Sequence, residues 1–135
     1  MFTKRILMEE RVRKIAGGFS FIPHRFLADG FLTALEQQEI LLYLFLVIAG
    51  DRYGLSYYSY DAICTLLQLN LGEYIAARDG LIDKDLIAFD GRIFQVLDLP
   101  PYPVRRAKAN DEDPAAIAQI IRQSLEYADQ RRSLP

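Results

Sequence analysis

Residues 56–97, SYYSYDAICTLLQLNLGEYIAARDGLIDKDLIAFDGRIFQVL, decide the fold. Ser59 stands where a helix N-cap is expected, ahead of Tyr60–Gln68, whose inward residues would be Ile63, Leu66 and Leu67. Leu69-Asn70 then turns the chain into a second helix, from about Leu71 to Lys84. Two apolar runs follow, Leu86–Phe89 and Arg92–Leu97, joined by Asp90-Gly91. Asp-Gly between such runs predicts a two-residue type I′ hairpin turn, which needs positive φ at both positions. The order is helix, tight turn, helix, hairpin.

Upstream, Thr33 opens the pattern T-A-L-E, a capping box that closes on Glu36 and starts a helix over Ala34–Ala49, ended by Gly50. The second half of that helix, ILLYLFLVIA (40–49), is apolar on every face and must be surrounded, by its own domain or partly by another copy of the chain. Ten residues are too few to span a bilayer. GGFSFIPHRF predicts a brief strand around Phe19–Ile22, then a turn or short helix opening at Pro23. Residues 1–17 show no clean period, so a short helix and a flexible arm are both open. Downstream, DLPPYP (98–103) is stiff and extended, because proline fixes its own φ and restricts its predecessor. Asp113-Pro114 then starts a helix, Ala115–Gln130, with Ile117, Ile120, Ile121, Leu125 and Ala128 on one face. Four parts result: a basic arm (1–18), a domain (19–99), a proline-containing linker (100–112) and a C-terminal helix (113–135).

The 135 residues are half hydrophobic, which excludes wholesale disorder and allows one domain with a core. One cysteine, Cys64, permits no internal disulfide and reads as a buried thiol. With a single histidine besides, no ordinary zinc constellation exists and neither a metal nor a cofactor is expected. Charges interrupt MFTKRILMEERVRK, so no signal peptide is read and a cytoplasmic location is expected. Charge is unevenly spread. Residues 1–25 carry +4, residues 26–99 carry −7, and residues 100–135 carry +1. An acidic body with basic arms points weakly to nucleic acid touched by an arm, and equally to ordinary solvated termini.

The second helix offers little to DNA bases. Opposite a stripe of Leu71, Tyr74, Ile75, Leu81 and Ile82 it presents Gly72, Glu73, Ala76, Asp79, Gly80 and Asp83. Major-groove readout uses Arg, Lys, Asn, Gln, Ser or Thr, whereas carboxylates near phosphates repel. Gly72, Ala76 and Gly80 form a smooth row at i, i+4 and i+8, fit to receive another helix such as 115–130, unless Gly80 only marks an early helix end. Arg78, inside the stripe, requires a partner, for example Asp61 or an acid of the long helix. Phosphate contacts could come from Lys4, Arg5, Arg11, Arg13 and Lys14, from Arg105, Arg106 and Lys108, and from Arg92 beside the hairpin turn. Tyr57, Tyr58 and Tyr60 could stack on bases or pack the helix-turn-helix loop onto the core. His24 has no nucleophile beside it, Gly17-Gly18 lacks phosphate-loop spacing, and no catalytic constellation stands out.

The stretches FSFIPHRFLADGFLTAL, EILLYLFLVIAGDRYGLSYYSYDAICTLLQL and LIDKDLIAFDG resemble the N-terminal winged helix-turn-helix domains of bacterial plasmid and phage replication initiators and related small mobile-element proteins. The resemblance covers about residues 19–97. It implies a mainly α fold with a small β-hairpin wing, a non-enzymatic role, and double-stranded DNA as partner in transcription regulation or replication. The implied recognition helix is Leu71–Lys84, which departs from the family pattern at Leu71, Gly72, Glu73 and Ala76, where Ser, Thr and basic residues are common. Glu73 and Ala76 would face the groove. The competing expectation is a winged-helix interaction or dimerisation module, possessing no base readout, that uses Gly72, Ala76 and Gly80 with Ile117, Ile120, Ile121 and Leu125.

Overall fold

The computed structural model describes residues 3–104. The expected C-terminal helix, with Ile117, Ile120, Ile121 and Leu125, lies outside the described residues, as do Arg105, Arg106 and Lys108. Four α-helices and a small sheet make up the body: α1 (Arg25–Ala28), α2 (Gln37–Ala49), β1 (Leu55–Ser56), α3 (Tyr60–Leu67), α4 (Leu71–Asp83), β2 (Ile87–Phe89) and β3 (Phe94–Val96). β3 is the central strand, antiparallel to both neighbours, in the order β1-β3-β2. Leu55 pairs with Gln95 and Ser56 with Phe94 on one side, while Ile87, Ala88 and Phe89 pair with Val96, Gln95 and Phe94 on the other.

α2 is the axis of the molecule. Its Leu42, Tyr43 and Leu46 are buried against Ile63 of α3, Tyr74, Ala77 and Leu81 of α4, and Phe94 of β3. Phe26 of α1 stacks on Tyr43 with ring centroids 4.9 Å apart. The capping box falls one turn later than T-A-L-E suggests. Thr33 sits in a 3-10 turn (Leu32–Ala34) and its Oγ1 donates to Gly30 O, while Leu35 is extended with ψ 145°. That break hands the cap position to Glu36, whose N–H donates to Glu39 Oε1 at 2.7 Å. The helix ends at Ala49, as expected, with Gly50 N–H bonded to Leu46 O.

The α3–α4 segment forms largely where residue type and spacing place it. Ser59 Oγ accepts from Ala62 N–H and Asn70 Oδ1 from Glu73 N–H, so both helices start on side-chain caps. Gln68 takes a left-handed conformation (φ 56°) in the connecting turn. Within α3, Ile63 is buried and Leu67 half-buried, but Leu66 is exposed, a correction to its inward assignment. The hairpin turn differs too. Only Gly91 has positive φ, so type I′ is not formed. Asp90 instead accepts the Arg92 and Ile93 N–H groups on Oδ1, at 2.8 and 2.7 Å, which holds the turn without left-handed backbone at Asp90.

No strand forms at Phe19–Ile22. That segment is exposed and lies against the end of α2, where Ser20 Oγ donates to Ile48 O, rather than along an edge of the sheet whose backbone groups could pair it. The short helix after Pro23 is α1.

Glu39 is the buried charge of the described core, 4% exposed. Its Oε1 accepts from Lys84 Nζ at 2.5 Å as well as from Glu36 N–H, and so ties the start of α2 to the end of α4. Gly80 makes this crossing possible, since a methyl there would overlap Glu39 Oε2 and stand 2.9 Å from its Cδ. The carboxylate is held by two donors and cannot swing aside without losing them. Gly80→Ala is therefore expected to destabilise the protein by about 1–3 kcal/mol, although alanine in an open helix interior gains about 1 kcal/mol over glycine. Gly72, which meets only Asn70 Oδ1 at 3.5 Å, is the control, and its alanine variant should be neutral or stabilising in the same urea titration.

Candidate nucleic-acid interface

The residues expected to touch DNA fall in three places. Lys4, Arg5, Arg11, Arg13 and Lys14 lie on the exposed N-terminal segment, whose local order is a 3-10 turn at Glu9–Arg11. Among the described residues no ion pair engages any of the five cations, whereas Arg25, Arg78 and Lys84 are each paired within the body. The second place is the hairpin tip. Arg92, exposed beside Gly91, lies with its guanidinium carbon 5.9 Å from the Tyr57 ring centroid. The β1–β3 pairing brings these two residues together across 35 positions of sequence. Tyr58 turns the other way and packs edge-on against Phe45 of α2 at 5.1 Å, as expected of a tyrosine that packs the loop onto the core, while staying 41% exposed. Tyr60 is exposed.

The third place is α4. Tyr74, Ala77 and Leu81 form its buried stripe, at i, i+3 and i+7. Leu71, Ile75 and Ile82, expected in that stripe, are all exposed; the short Ala77 lets α4 approach α2 closely and rotates the larger residues outward. Gly72 and Ala76 are exposed beside them. Gly80 is not, because Glu39 of α2 covers it, so the smooth row of 72, 76 and 80 does not form one open face. Nor does Gly80 mark an early end, since α4 runs through Asp83.

Glu73 is committed locally. Its Oε1 accepts from Asn70 N–H at 2.9 Å while Asn70 Oδ1 accepts from Glu73 N–H at 2.7 Å, a capping box that points both side chains back at their own helix. Arg78 finds its partner next door: Nε donates to Asp79 Oδ1 at 3.0 Å, and the guanidinium lies over Tyr74 and Phe89 at 5.7 and 5.5 Å. Neither Asp61 nor an acid of α2 pairs with it. Burial pushes the Tyr74 phenol above its usual pKa, partly opposed by the charge of Arg78.

Two groups escape a reading of the sequence alone. Arg52 lies over Tyr53 at 4.8 Å, a further exposed cation on an aromatic ring; adjacency in Arg52-Tyr53 is the available signal. Both border a cleft of about 450 Å³ between Phe19–Pro23, Tyr43 and Val47 of α2, and Leu97–Leu99. Its walls are mainly apolar, and burial there raises the Tyr43 phenol pKa. No group of three or more His, Cys, Asp or Glu able to hold a metal ion occurs among the described residues, and no helix among them is long and apolar enough to cross a membrane.

Comparison with known proteins finds no matching family model, no similar curated protein and no similar solved structure.

The hairpin tip makes an acid-sensitive element. The Ile93 and Arg92 N–H groups favour the Asp90 carboxylate and hold its pKa below the usual 3.8. With the folded pKa depressed, the contribution of Asp90 to the turn is complete above the unfolded pKa of about 4 and is lost as pH falls through the lower folded value. In an NMR titration the Arg92 and Ile93 amide shifts should move together with the Asp90 carboxyl below pH 4. Asp90→Asn, which keeps an acceptor, should abolish that transition.

Proposed function

We propose that the chain is a winged helix-turn-helix protein that binds double-stranded DNA mainly through its phosphates, in regulation or replication of bacterial or mobile-element DNA. The observation that supports this reading is the element order α2-β1-α3-α4-β2-β3 with β3 between β1 and β2, the order expected of a winged helix, in which the β2–β3 hairpin would be the wing. Arg92 on Tyr57 at the wing tip and the five cations of the N-terminal segment supply positive charge outside an acidic body. Such contacts position a protein on a duplex but carry no sequence information. α4 adds little, because Glu73 is spent on its cap and the exposed face beyond it carries Leu71, Gly72, Ile75, Ala76 and Ile82.

That apolar face favours a second reading. A recognition helix whose one cation, Arg78, is engaged by Asp79 and two rings, and which exposes three large aliphatic residues, suits contact with another protein, as in winged helices that dimerise or dock partners.

Fluorescence anisotropy with a mixed-sequence labelled duplex across a salt series separates the two. The DNA reading expects tight binding at low salt that weakens steeply, with a log–log slope of about 0.9 per phosphate neutralised. Replacing Lys4, Arg5, Arg11, Arg13 and Lys14 by alanine should flatten the slope by about 0.9 for each phosphate no longer neutralised. Arg92→Ala should flatten it by one further phosphate, while Glu73→Gln leaves it unchanged. Absence of binding at the lowest salt overturns this reading in favour of the second.

A further inference from the structure

The cleft between Phe19–Pro23, α2 and Leu97–Leu99 takes part in neither functional reading, and one polar group is committed to it. Tyr43 is 4% exposed, its ring held flat on Phe26 with the planes 3° apart. Its hydroxyl has no hydrogen-bond partner among the described residues. Nor is that hydroxyl sealed, since the sealed side-chain oxygen without a partner there is Ser56 Oγ. The open space that Tyr43 borders is the cleft. A hydroxyl withdrawn from bulk water and left unpaired costs free energy that a bound acceptor recovers. Burial raises the phenol pKa, so the group stays protonated and able to donate at neutral pH.

We propose that this cleft binds a small, uncharged, planar aromatic molecule carrying one carbonyl-type acceptor, which receives the Tyr43 hydroxyl. The volume, about 450 Å³, falls within the range of about 300–1,000 Å³ over which clefts enclose small organic ligands. The walls select a flat ring. Besides Tyr43, the rings of Phe19, Phe21 and Tyr53 line the cleft, and aromatic rings pack offset or edge-on against one another. Phe19 and Phe21 are 68% and 77% exposed, an apolar cost that a ligand between them and α2 would reduce. The rim selects against charge. Arg52 brings one guanidinium, lying over Tyr53, and Asp51 and Asp98 bring two carboxylates. All three are exposed, where a lone ion pair adds little. The loop that lines the cleft is set before any ligand arrives. Asp51 Oδ1 accepts from Tyr53 and Leu55 N–H, and Gly54, at φ 80°, accepts from Val96 N–H at 2.9 Å. The assignment is independent of the DNA reading.

Titration of the full chain with prodan, a neutral naphthyl ketone whose emission reports polarity, tests it. Saturable binding with blue-shifted emission is expected. Tyr43→Phe, which keeps the ring on Phe26 and removes the donor, should weaken prodan by about threefold to tenfold. Dimethylaminonaphthalene, which lacks the carbonyl, should bind the parent chain and Tyr43→Phe equally, a difference that mere loosening of the fold would not produce. NMR amide shifts locate the dye, and those of Gly50, Gly54, Leu97 and Leu99 should move on saturation. Shifts that move instead at Leu71, Ile75 and Ile82 of α4 assign the binding to that exposed aliphatic face and overturn the proposal. Absence of saturable binding overturns it too, as does equal prodan affinity in the parent chain and Tyr43→Phe.

Discussion

The body is organised around one carboxylate. Glu39 is withdrawn from water at the crossing of α2 and α4, and a buried charge is tolerated only when its partners are supplied in full. Here a single oxygen takes both Glu36 N–H and Lys84 Nζ, while the other packs over Gly80. The arrangement fixes three things together: where α2 begins, where α4 ends, and how far one helix can slide along the other. The apolar contacts around Leu42, Leu46, Ala77 and Leu81 supply most of the burial, but they would tolerate a sliding of one helix over the other that the ion pair forbids.

Fixing the end of α4 also fixes the hairpin. Lys84 is the last residue before the chain reverses through Asp85 at φ 62°, and Leu86 N–H returns to Leu81 O. β2 starts one residue later, and its register with β3 sets Phe89 against Phe94, stacked at 4.2 Å. The position of Arg92 over Tyr57 is thus inherited from the α2–α4 crossing through a short chain of rigid connections. On the far side of β3 the constraint is steric. Gly54, at φ 80°, lies so close to the Val96 carbonyl that a Cβ would stand 2.6 Å from it, and its own carbonyl accepts from Val96 N–H.

Much of this is legible in the sequence where local chemistry decides. The Ser59 cap, the turn before Asn70, the stop at Gly50 and the two strands follow from residue type and spacing alone. The misreadings share a cause, which is competition between local patterns that only tertiary contact resolves. Thr33 and Glu36 make a plausible capping box, yet Glu36 and Glu39 make another, and the buried pair with Lys84 belongs to the second. Leu71, Ile75 and Ile82 outrank Ala77 in hydrophobicity, but Ala77 permits the close approach, so the smaller residue faces the core. The Gly72/Ala76/Gly80 row reads as one surface because spacing cannot tell that Glu39, 41 residues before Gly80, crosses only one of its members.

The same competition governs how charge is available for binding. Within the body the half-buried cations are engaged: Arg25 by Asp29 and the carbonyls of 99–101, Arg78 by Asp79 and two rings, Lys84 by Glu39. Among the described residues, the cations left to meet a ligand are peripheral, on the N-terminal segment, at the hairpin tip and at Arg52. Phosphates near an acidic surface are repelled over roughly a Debye length, about 8 Å at physiological salt. An N-terminal segment that extends beyond this distance can hold phosphate where the body cannot. Affinity built this way is long-range, strongly screened and blind to sequence, and any selectivity must come from shape or from a second bound protein. The exposed aliphatic face of α4 carries none of these cations, so the two proposed readings do not compete for the same residues.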